Sequence, residues 1–411
     1  MNQLSFPATR HEALRRLKSF QPSMGPSYAK GRNYDLGPGQ RSNVSLLSPY
    51  ISSRLILEEE VVRTALSRDS AEQSEKFVEE VFWRAYWKGW LELRPWIWEE
   101  YQSSLSEKIA WLYSHPPTHS VYASACEGTT DFSCFNSWVQ ELKTTGYLHN
   151  HARMWFASIW IFYLGLPWEL GADFFYKHLL DGDPASNTLG WRWVAGLQTR
   201  GKQYIASPEN IAKFTKDRFD MGALKCAKIK PFIASSAREK PPNEYQPALL
   251  ESSGLIAPSL LLIFGEDHYL EGSPLKGMNV QSILGLSPKL LEPSLGLAAN
   301  PLQFKLSALK DGLERAGQYF GLSTESVATL DSLKSNLHEI RRKNLTVSFL
   351  RPRVGPWRSL LENIFRDVGF QQGDLRIFER RWDAELYPLA QRGFFQFKRC
   401  IPSVIENLNL H

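Results

Sequence analysis

Residues 145–193 read TGYLHNHARMWFASIWIFYLGLPWELGADFFYKHLLDGDPASNTLGWRW, and this stretch decides the fold. Asn150 and Arg153 are three residues apart, which places both side chains on one face of a helix. An aromatic run follows, and then an acidic turn that contains Asp181 and Asp183. Charged and amide groups in so apolar a segment are costly to bury without partners. We therefore expect them to surround a flat ligand with a polar edge.

Two motifs in this stretch resemble those of the photolyase/cryptochrome family. The sequence HNHAR at 149–153 is similar to the family's H-N-x-x-R, and residues 181–191 are similar to its D-G-D-x-x-x-N-x-x-x-W. Their order and spacing also agree. The resemblance implies a helical domain that binds FAD. The alternative interpretation is a buried helical core with an incidental ion pair between Arg153 and Asp181.

Two upstream segments extend the resemblance. Residues 43–50, NVSLLSPY, are similar to the T-S-x-L-S-P-Y-L that holds the flavin diphosphate in the family, although Val44 replaces the usual Thr and Arg54 lies near a position that is usually Gly. Residues 79–84, EEVFWR, are similar to N-E-L-x-W-R-E-F. The first segment can also be read as an ordinary Ser-Pro helix start. The second can also contain a simple i,i+4 pair between Glu80 and Arg84.

Matching positions carry the family's site residues onto this chain. The resemblance implies a cofactor site made of Tyr34, Ser45, Leu47, Ser48, Arg84, Asn150, Arg153, Asp181, Asp183 and Asn187. It implies that the substrate cavity is lined by Glu80, Trp83, Met154 and Trp193. The expected catalytic residues are Asn187 against the flavin N5, Glu80 in the substrate cavity, and Trp191 and Trp168 as the first indoles of an electron-transfer chain. The third indole is not identifiable, and Trp111 is a candidate by rough position.

The resemblance implies a reaction as well as a cofactor. The expected function is the blue-light-driven repair of cyclobutane pyrimidine dimers by electron transfer from reduced FAD, with UV-damaged DNA, single-stranded or duplex, as the partner. Asn187 favours repair, because plant cryptochromes have Asp and insect cryptochromes Cys at that position. Asn150 stands where six-four photolyases have His. The alternatives are a photoreceptor that binds FAD and signals to a protein partner, and a flavoprotein whose fold serves only structural or partner-binding purposes.

The composition sets limits on these interpretations. The aromatic content is 13%, with 14 Trp, and the formal net charge of +5 permits but does not establish binding to nucleic acid. Basic residues at 198–202 and at Lys213, Lys216 and Arg218 indicate either a track for a phosphate backbone or a solvated face. The four cysteines lack the spacing of a zinc site or a disulfide framework. We therefore expect reduced, structural cysteines in a cytoplasmic protein. The most apolar run, 154–167, is too short to span a bilayer, so we expect no membrane partner.

The pattern of the chain changes after a linker. We predict a helical FAD-binding domain at 1–229, a linker at 230–257 and a smaller α/β domain with a parallel sheet at 258–411. The buried strands are expected at 258–264 and 345–349. The last domain resembles the family's antenna domain in permuted order, so a second chromophore of unknown identity is also implied. Locally, we predict a helix at 9–20, a loop at 22–42 and an irregular segment that contains residues 115–117.

Overall fold

The computed structural model describes residues 4–68, 70–199, 201–232, 240–251 and 257–411. A helical part comes first, and an α/β part with a five-stranded parallel sheet follows, which confirms the predicted fold class. In the described residues no helix is long and apolar enough to cross a membrane.

The helices of the first part enclose two aromatic-rich cores, one around Trp155 and Trp160 and the other around Tyr50 and Phe82. They are α1 (Arg10–Phe20), α2 (Pro26–Gly31), α3 (Ser48–Ser52), α4 (Glu58–Leu66), α5 (Ala71–Glu92), α6 (Trp96–Tyr113), α7 (Pro116–Glu127), α8 (Ser133–Thr145), α9 (Asn150–Ser158), α10 (Trp168–His178), α11 (Pro184–Val194), α12 (Pro208–Thr215) and α13 (Gly222–Cys226).

The second part alternates strands and helices in its middle section and ends in short helices. Its strands are β1 (Ser259–Ile263), β2 (Val280–Leu286), β3 (Thr324–Val327), β4 (Thr346–Leu350) and β5 (Leu375–Phe378). Its helices are α14 (Glu292–Leu295), α15 (Ala299–Phe320), α16 (Leu330–Arg342), α17 (Pro356–Val368), α18 (Arg381–Leu386), α19 (Phe394–Lys398) and α20 (Ile401–Asn407).

The strand order is β3-β2-β1-β4-β5, and every pairing is parallel. All five residues of β1 are buried, as expected for a central strand covered on both faces. The strand order reverses between β1 and β4, because β2 and β3 are added on one side of β1, and β4 and β5 on the other. Open α/β sheets usually bind ligands at such a point, beyond the carboxyl ends of the strands.

That crevice is filled by a buried charge network. Arg54, from the helical part, donates to both carboxylate oxygens of Asp383 at 2.5 and 2.7 Å and to Asp267 at 3.3 Å. Arg380 makes a bidentate bond to Asp267, and Arg353 pairs with Asp383. Such a network stabilises the fold only while every buried ion keeps its oppositely charged partner, because each ion has lost its hydration.

The end of the chain returns to the helical part. Trp382 lies 5.0 Å from Phe82, and Phe394 stacks on Trp83 with 3.5 Å between the ring centroids. Helix α5 can approach this segment closely because residue Gly89 has no side chain. A Cβ at this position would lie 2.7 Å from the backbone of Tyr387. Residues after 381 therefore share a core with α5, and the domain boundaries at 229 and 258 stay a prediction.

Several local predictions are confirmed and others are wrong. Helix α1, with Thr9 as its hydrogen-bonding N-cap, and strands β1 and β4 are confirmed. The predicted loop at 22–42 contains α2, and the predicted irregular segment that contains 115–117 coincides with the start of α7. Pro26 and Pro116 each occupy the first position of a helix, where proline costs no hydrogen bond.

Candidate functional site

The acidic turn is fixed by its own backbone. Asp183 accepts a hydrogen bond from the backbone N–H of Ser186 at 2.8 Å and so caps α11, with Pro184 at the first helical position. A Cβ on Gly182 would lie 3.0 Å from the carbonyl oxygen of Tyr176 and 3.1 Å from that of Leu179. The turn therefore packs closely against the end of α10, and both of its carboxylates are buried.

Arg153 joins α9 to this turn. Its Nη2 donates to Asp181 Oδ2 at 2.9 Å, and its Nε donates to the carbonyl of Leu148 at 3.0 Å. Burial, the largest effect, raises the pKa of Asp181. The charge of Arg153 and hydrogen bonds from Arg153 and the Ser48 hydroxyl outweigh the effect of burial, so the pKa of Asp181 is lowered overall. The ion pair between Arg153 and Asp181 therefore joins the two sequence motifs.

Asp183 is held by two cations of α5. Arg84 Nη2 lies 3.5 Å and Lys88 Nζ 3.4 Å from Asp183 Oδ2. Burial raises the pKa of this carboxyl, but Lys88 and Arg84 more than compensate and lower it to about 2. Arg84 also lies 4.0 Å from Glu58. The guanidinium therefore faces two carboxylates at the centre of the helical part.

A cavity of about 100 Å³ opens between α3, α5 and α9. Its wall also includes the aromatic ring of Tyr147. The predicted residues that line it are Ser45, Leu47, Ser48, Glu80 and Asn150.

Asn187 and Trp191 lie on the buried side of α11. The Nδ2 of Asn187 donates to the carbonyl of Ala172 at 2.7 Å, which fixes the orientation of its amide. Trp191 packs edge-on against Phe175 at 5.1 Å. A Cβ at Gly171 would lie 2.2 Å from the Trp191 ring, so only glycine permits this packing.

Other predicted residues are engaged in separate contacts. Glu80 forms an ion pair with Arg32, and burial, the largest effect, raises its pKa. Trp83 is stacked beneath Phe394. The remaining contacts are Trp193 on Tyr204 at 5.3 Å, Trp168 beside Tyr101 at 5.5 Å and Tyr34 edge-on to Phe214 at 5.2 Å. Met154 is partly buried on α9.

Sequence reasoning missed two cations at the site. Lys88 follows Arg84 by four residues on α5, so helical spacing alone could have placed it on the same face. Lys305 comes from α15 of the second part and lines a cavity with Asp183 and Glu266. Burial lowers the pKa of Lys305 although these two carboxylates oppose the shift. No local sequence motif predicts the position of Lys305, because only tertiary packing brings it to the acidic turn.

The residues present fit a flavin dinucleotide. Among the described residues, Asp181 Oδ1, Arg84 Nε and the indole N–H of Trp191 are buried and have no hydrogen-bond partner in the protein. Buried polar atoms of this kind require a bound molecule or water. Cations at Arg84 and Lys88 suit phosphates, while carboxylate and amide groups suit the edge of a ring system or a ribose. Hydroxyls at Ser45 and Ser48 line the adjoining cavity.

Comparison with known families agrees with this geometry. Residues 77–221 match the family described as "FAD binding domain of DNA photolyase". This range contains Arg84, both halves of the Arg153–Asp181 pair, and Asn187. Over these residues, about a third of the chain, the protein is similar to that FAD-binding family.

The similar curated proteins are longer than the matched region. A deoxyribodipyrimidine photo-lyase of Neurospora crassa is 30% identical over 49% of this chain and 32% of its own length. One of Thermus thermophilus is 31% identical over 47% of this chain and 44% of its own length. The chain thus spans less than half the length of these relatives.

Two solved structures are also similar over half the chain. A bacterial class III photolyase from Agrobacterium tumefaciens is 26% identical, with a TM-score of 0.41, over 51% of this chain and 43% of that protein. A Synechocystis cryptochrome is 20% identical, with a TM-score of 0.42, over 52% of this chain and 44% of that protein.

Proposed function

We propose that the protein binds FAD and uses blue light to repair cyclobutane pyrimidine dimers in DNA. The observation that carries this proposal is the Arg153–Asp181 ion pair, which joins the two sequence motifs. The names of the relatives, deoxyribodipyrimidine photo-lyase, support the same reaction class. We place the activity in the cytoplasm, without a membrane partner.

Each site residue has a defined part in this proposal. Ser45, Ser48 and Arg84 would hold the phosphates through hydroxyl and guanidinium donors. Arg153, oriented by Asp181, would keep a positive charge near the ring system. Asn187 has its Nδ2–H committed to Ala172, so its Oδ1 is the atom available to the flavin N5. When bound and reduced, FAD supplies an electron to the lesion under blue light.

The proposed substrate is UV-damaged DNA, single-stranded or duplex. A lesion must leave the base stack to reach an internal cavity, and Met154, Glu80, Trp83 and Trp193 are the proposed contacts. Lys213 and Lys216 lie near the rings of Phe214 and Tyr34, where they would meet backbone phosphates. Arg200 belongs to the same basic segment but lies outside the described residues.

A second candidate function is a photoreceptor that binds FAD and signals to a protein partner. It is favoured by the contacts of the proposed lesion residues. Phe394 covers the face of Trp83, and Arg32 pairs with Glu80, so neither side chain is free to receive a base without rearrangement. The resulting question is whether these contacts open when DNA binds.

An antenna chromophore does not fit the crevice where α/β sheets commonly bind ligands. Arg54, Asp267, Arg353 and Arg380 line that space and are joined there by ion pairs, also with Asp383. A planar pigment would have to displace a complete buried network. We therefore propose that any antenna binds outside the β1/β4 crevice.

The test is dimer loss from a short single-stranded oligonucleotide that carries one cyclobutane thymine dimer. Protein loaded with reduced FAD is compared in blue light and in darkness, and a Trp83→Ala variant is measured beside it. Loss in light alone supports repair, and its reduction in the variant supports the lesion contact. Intact dimers with FAD-loaded protein would reject repair and favour the photoreceptor.

A further inference from the structure

Helix α15 carries Lys305 from the second part of the chain to the acidic turn. The helix contacts the helical part at two points before this residue. Near its start, Asn300 Nδ2 donates to the carbonyl of Thr144 at 3.0 Å. One turn later, Phe304 packs edge-on against Tyr50 of α3, with 6.0 Å between the ring centroids. These contacts fix the position of Lys305 beside the candidate flavin site.

Lys305 lines a cavity of about 40 Å³ between the two parts of the chain. Ser52, Lys88 and Asp183 line the same cavity. Its volume exceeds the roughly 10–15 Å³ that one water molecule needs, so a larger group can enter. Among the hydrogen bonds and ion pairs of the described residues, none uses the amine of Lys305. Such a cation is satisfied only by a bound anion or by water.

Asp183 is the shared counter-charge of three cations. Its Oδ2 lies 3.5 Å from Arg84 and 3.4 Å from Lys88. Lys305 is attracted to the same carboxylate. Glu266, a second carboxylate near Lys305, accepts a backbone hydrogen bond at 2.8 Å, and burial raises its pKa. One carboxylate shared by three cations leaves positive charge for a further anion.

We propose that Lys305 binds the diphosphate of FAD and that the second part of the chain thereby completes the flavin site. This inference rests on the proposed binding of FAD. Lysine suits the role because its ammonium group binds phosphate oxygens as a compact charge. Ser52, in the cavity wall, ends the helix α3 that Ser48 begins. The cavity therefore adjoins the segment predicted to hold the phosphates.

A purely structural role for Lys305 predicts a different behaviour. Burial lowers the pKa of this amine although nearby carboxylates oppose the shift, so the folded protein disfavours its charged form. Removal of the charge should therefore not destabilise the protein without FAD. If Lys305 instead joined the two parts of the chain as an ion-pair partner, its removal would lower that stability.

The test is the dissociation constant of FAD, measured by fluorescence titration of the full chain freed of flavin. Lys305→Met should raise it about tenfold or more, and Lys305→Arg should restore most of the affinity. Added NaCl should weaken FAD binding less in Lys305→Met than in the wild type, since the variant lacks one of the charges that salt screens. The control is Lys310→Met on the same helix. Lys310 is exposed and lies 3.8 Å from Glu314, so this variant should bind FAD within about twofold of the wild type.

The outcomes separate this contact from the proposed function. Equal affinity of the wild type and Lys305→Met would overturn the phosphate contact and leave FAD binding intact. A loss of affinity with unchanged salt dependence and no recovery in Lys305→Arg would overturn it as well, and so would a lower thermal stability of Lys305→Met without FAD. Wild-type protein that binds no FAD would overturn both proposals. If Lys305→Met does not fold, Lys305→Gln decides by the same titration.

Discussion

Arg153 and Asp181 lie 28 residues apart in the chain and meet in a hydrogen-bonded ion pair of 2.9 Å. The Asp181 side chain is 4% exposed and that of Arg153 25%. One oxygen of Asp181 is used by Arg153, and the other is buried without a partner among the described residues. The pair therefore combines a fixed positive charge with an acceptor that is available to a ligand.

Asp181→Asn should weaken FAD binding. The amide leaves Arg153 without its counter-charge, and a hydrogen bond to a charged group contributes about 1.5–3 kcal/mol. The dissociation constant should rise by about tenfold to a hundredfold, measured by titration of FAD fluorescence. The matched control is Asp173→Asn, which removes an ion pair of 2.6 Å with Lys177 within α10. Equal affinity of wild type and Asp181→Asn would contradict the proposed site.

Asn187→Asp should change the light-driven spectrum of bound FAD. The carboxylate cannot donate to the Ala172 carbonyl, which now receives a bond of 2.7 Å, and it puts a negative charge near the proposed N5 position. We expect the neutral flavin radical to accumulate more readily under blue light, together with a loss of about 1–3 kcal/mol in stability. Absorption spectra under illumination and thermal unfolding measure the two effects.

The control for this variant is Asn136→Asp. Its amide also donates to a backbone carbonyl, that of Thr130 at 2.6 Å, but it lies outside the proposed site. It should lose stability and keep the wild-type spectrum. An unchanged spectrum in Asn187→Asp would place Asn187 away from N5.

The sequence predicts the centre of the site because its residues lie in short motifs. The spacing of Asn150 and Arg153, and of Asp181 and Asp183, is set by one helix and one turn, so local rules suffice. Strands β1 and β4 are predicted for the same reason, since each is a short apolar run between turn signals. The fold class follows from such local patterns, whereas FAD is implied by the resemblance of the motifs to those of the family.

What the sequence does not predict depends on contacts between distant segments. Phe394 reaches Trp83 across more than 300 residues, and Lys305 reaches Asp183 from the second part of the chain. The contact between Trp160 and Trp191 was missed because it depends on the packing of the π-helical turn against α10. Spacing along the chain cannot specify any of these contacts.

Asp383→Asn should destabilise the protein strongly. Asp383 is fully buried and accepts from Arg54 and Arg353, so its neutralisation leaves two buried guanidinium groups short of negative charge. We expect a loss of about 3–5 kcal/mol in the free energy of unfolding, measured by urea denaturation. Glu385→Gln, on the same helix, breaks a partly exposed pair of 3.6 Å with Arg381 and should cost at most about 1 kcal/mol. Similar losses in the two variants would show that the network contributes little.

His268 should make the stability of the protein fall as the pH decreases from about 6.5 to 4. Its ring is fully buried, with Nδ1 2.8 Å from the Ser53 carbonyl, so Nδ1 carries the proton and donates. Nε2 is buried without a partner among the described residues. Burial, the largest effect, lowers the pKa of His268 to about 4. The unfolded chain therefore binds a proton in this pH range that the folded protein does not.

The contribution of His268 is complete above the unfolded pKa of about 6.5 and is lost towards pH 4, at about 1.4 kcal/mol per pH unit. His268→Asn keeps a donor near Ser53 and removes the titrating ring. Its stability should fall less steeply than that of the wild type between pH 6.5 and 4.5, measured by urea denaturation at each pH. Between pH 7 and 9 the two profiles should run parallel, which serves as the internal control. Parallel profiles below pH 6.5 would show that His268 becomes protonated within the folded protein.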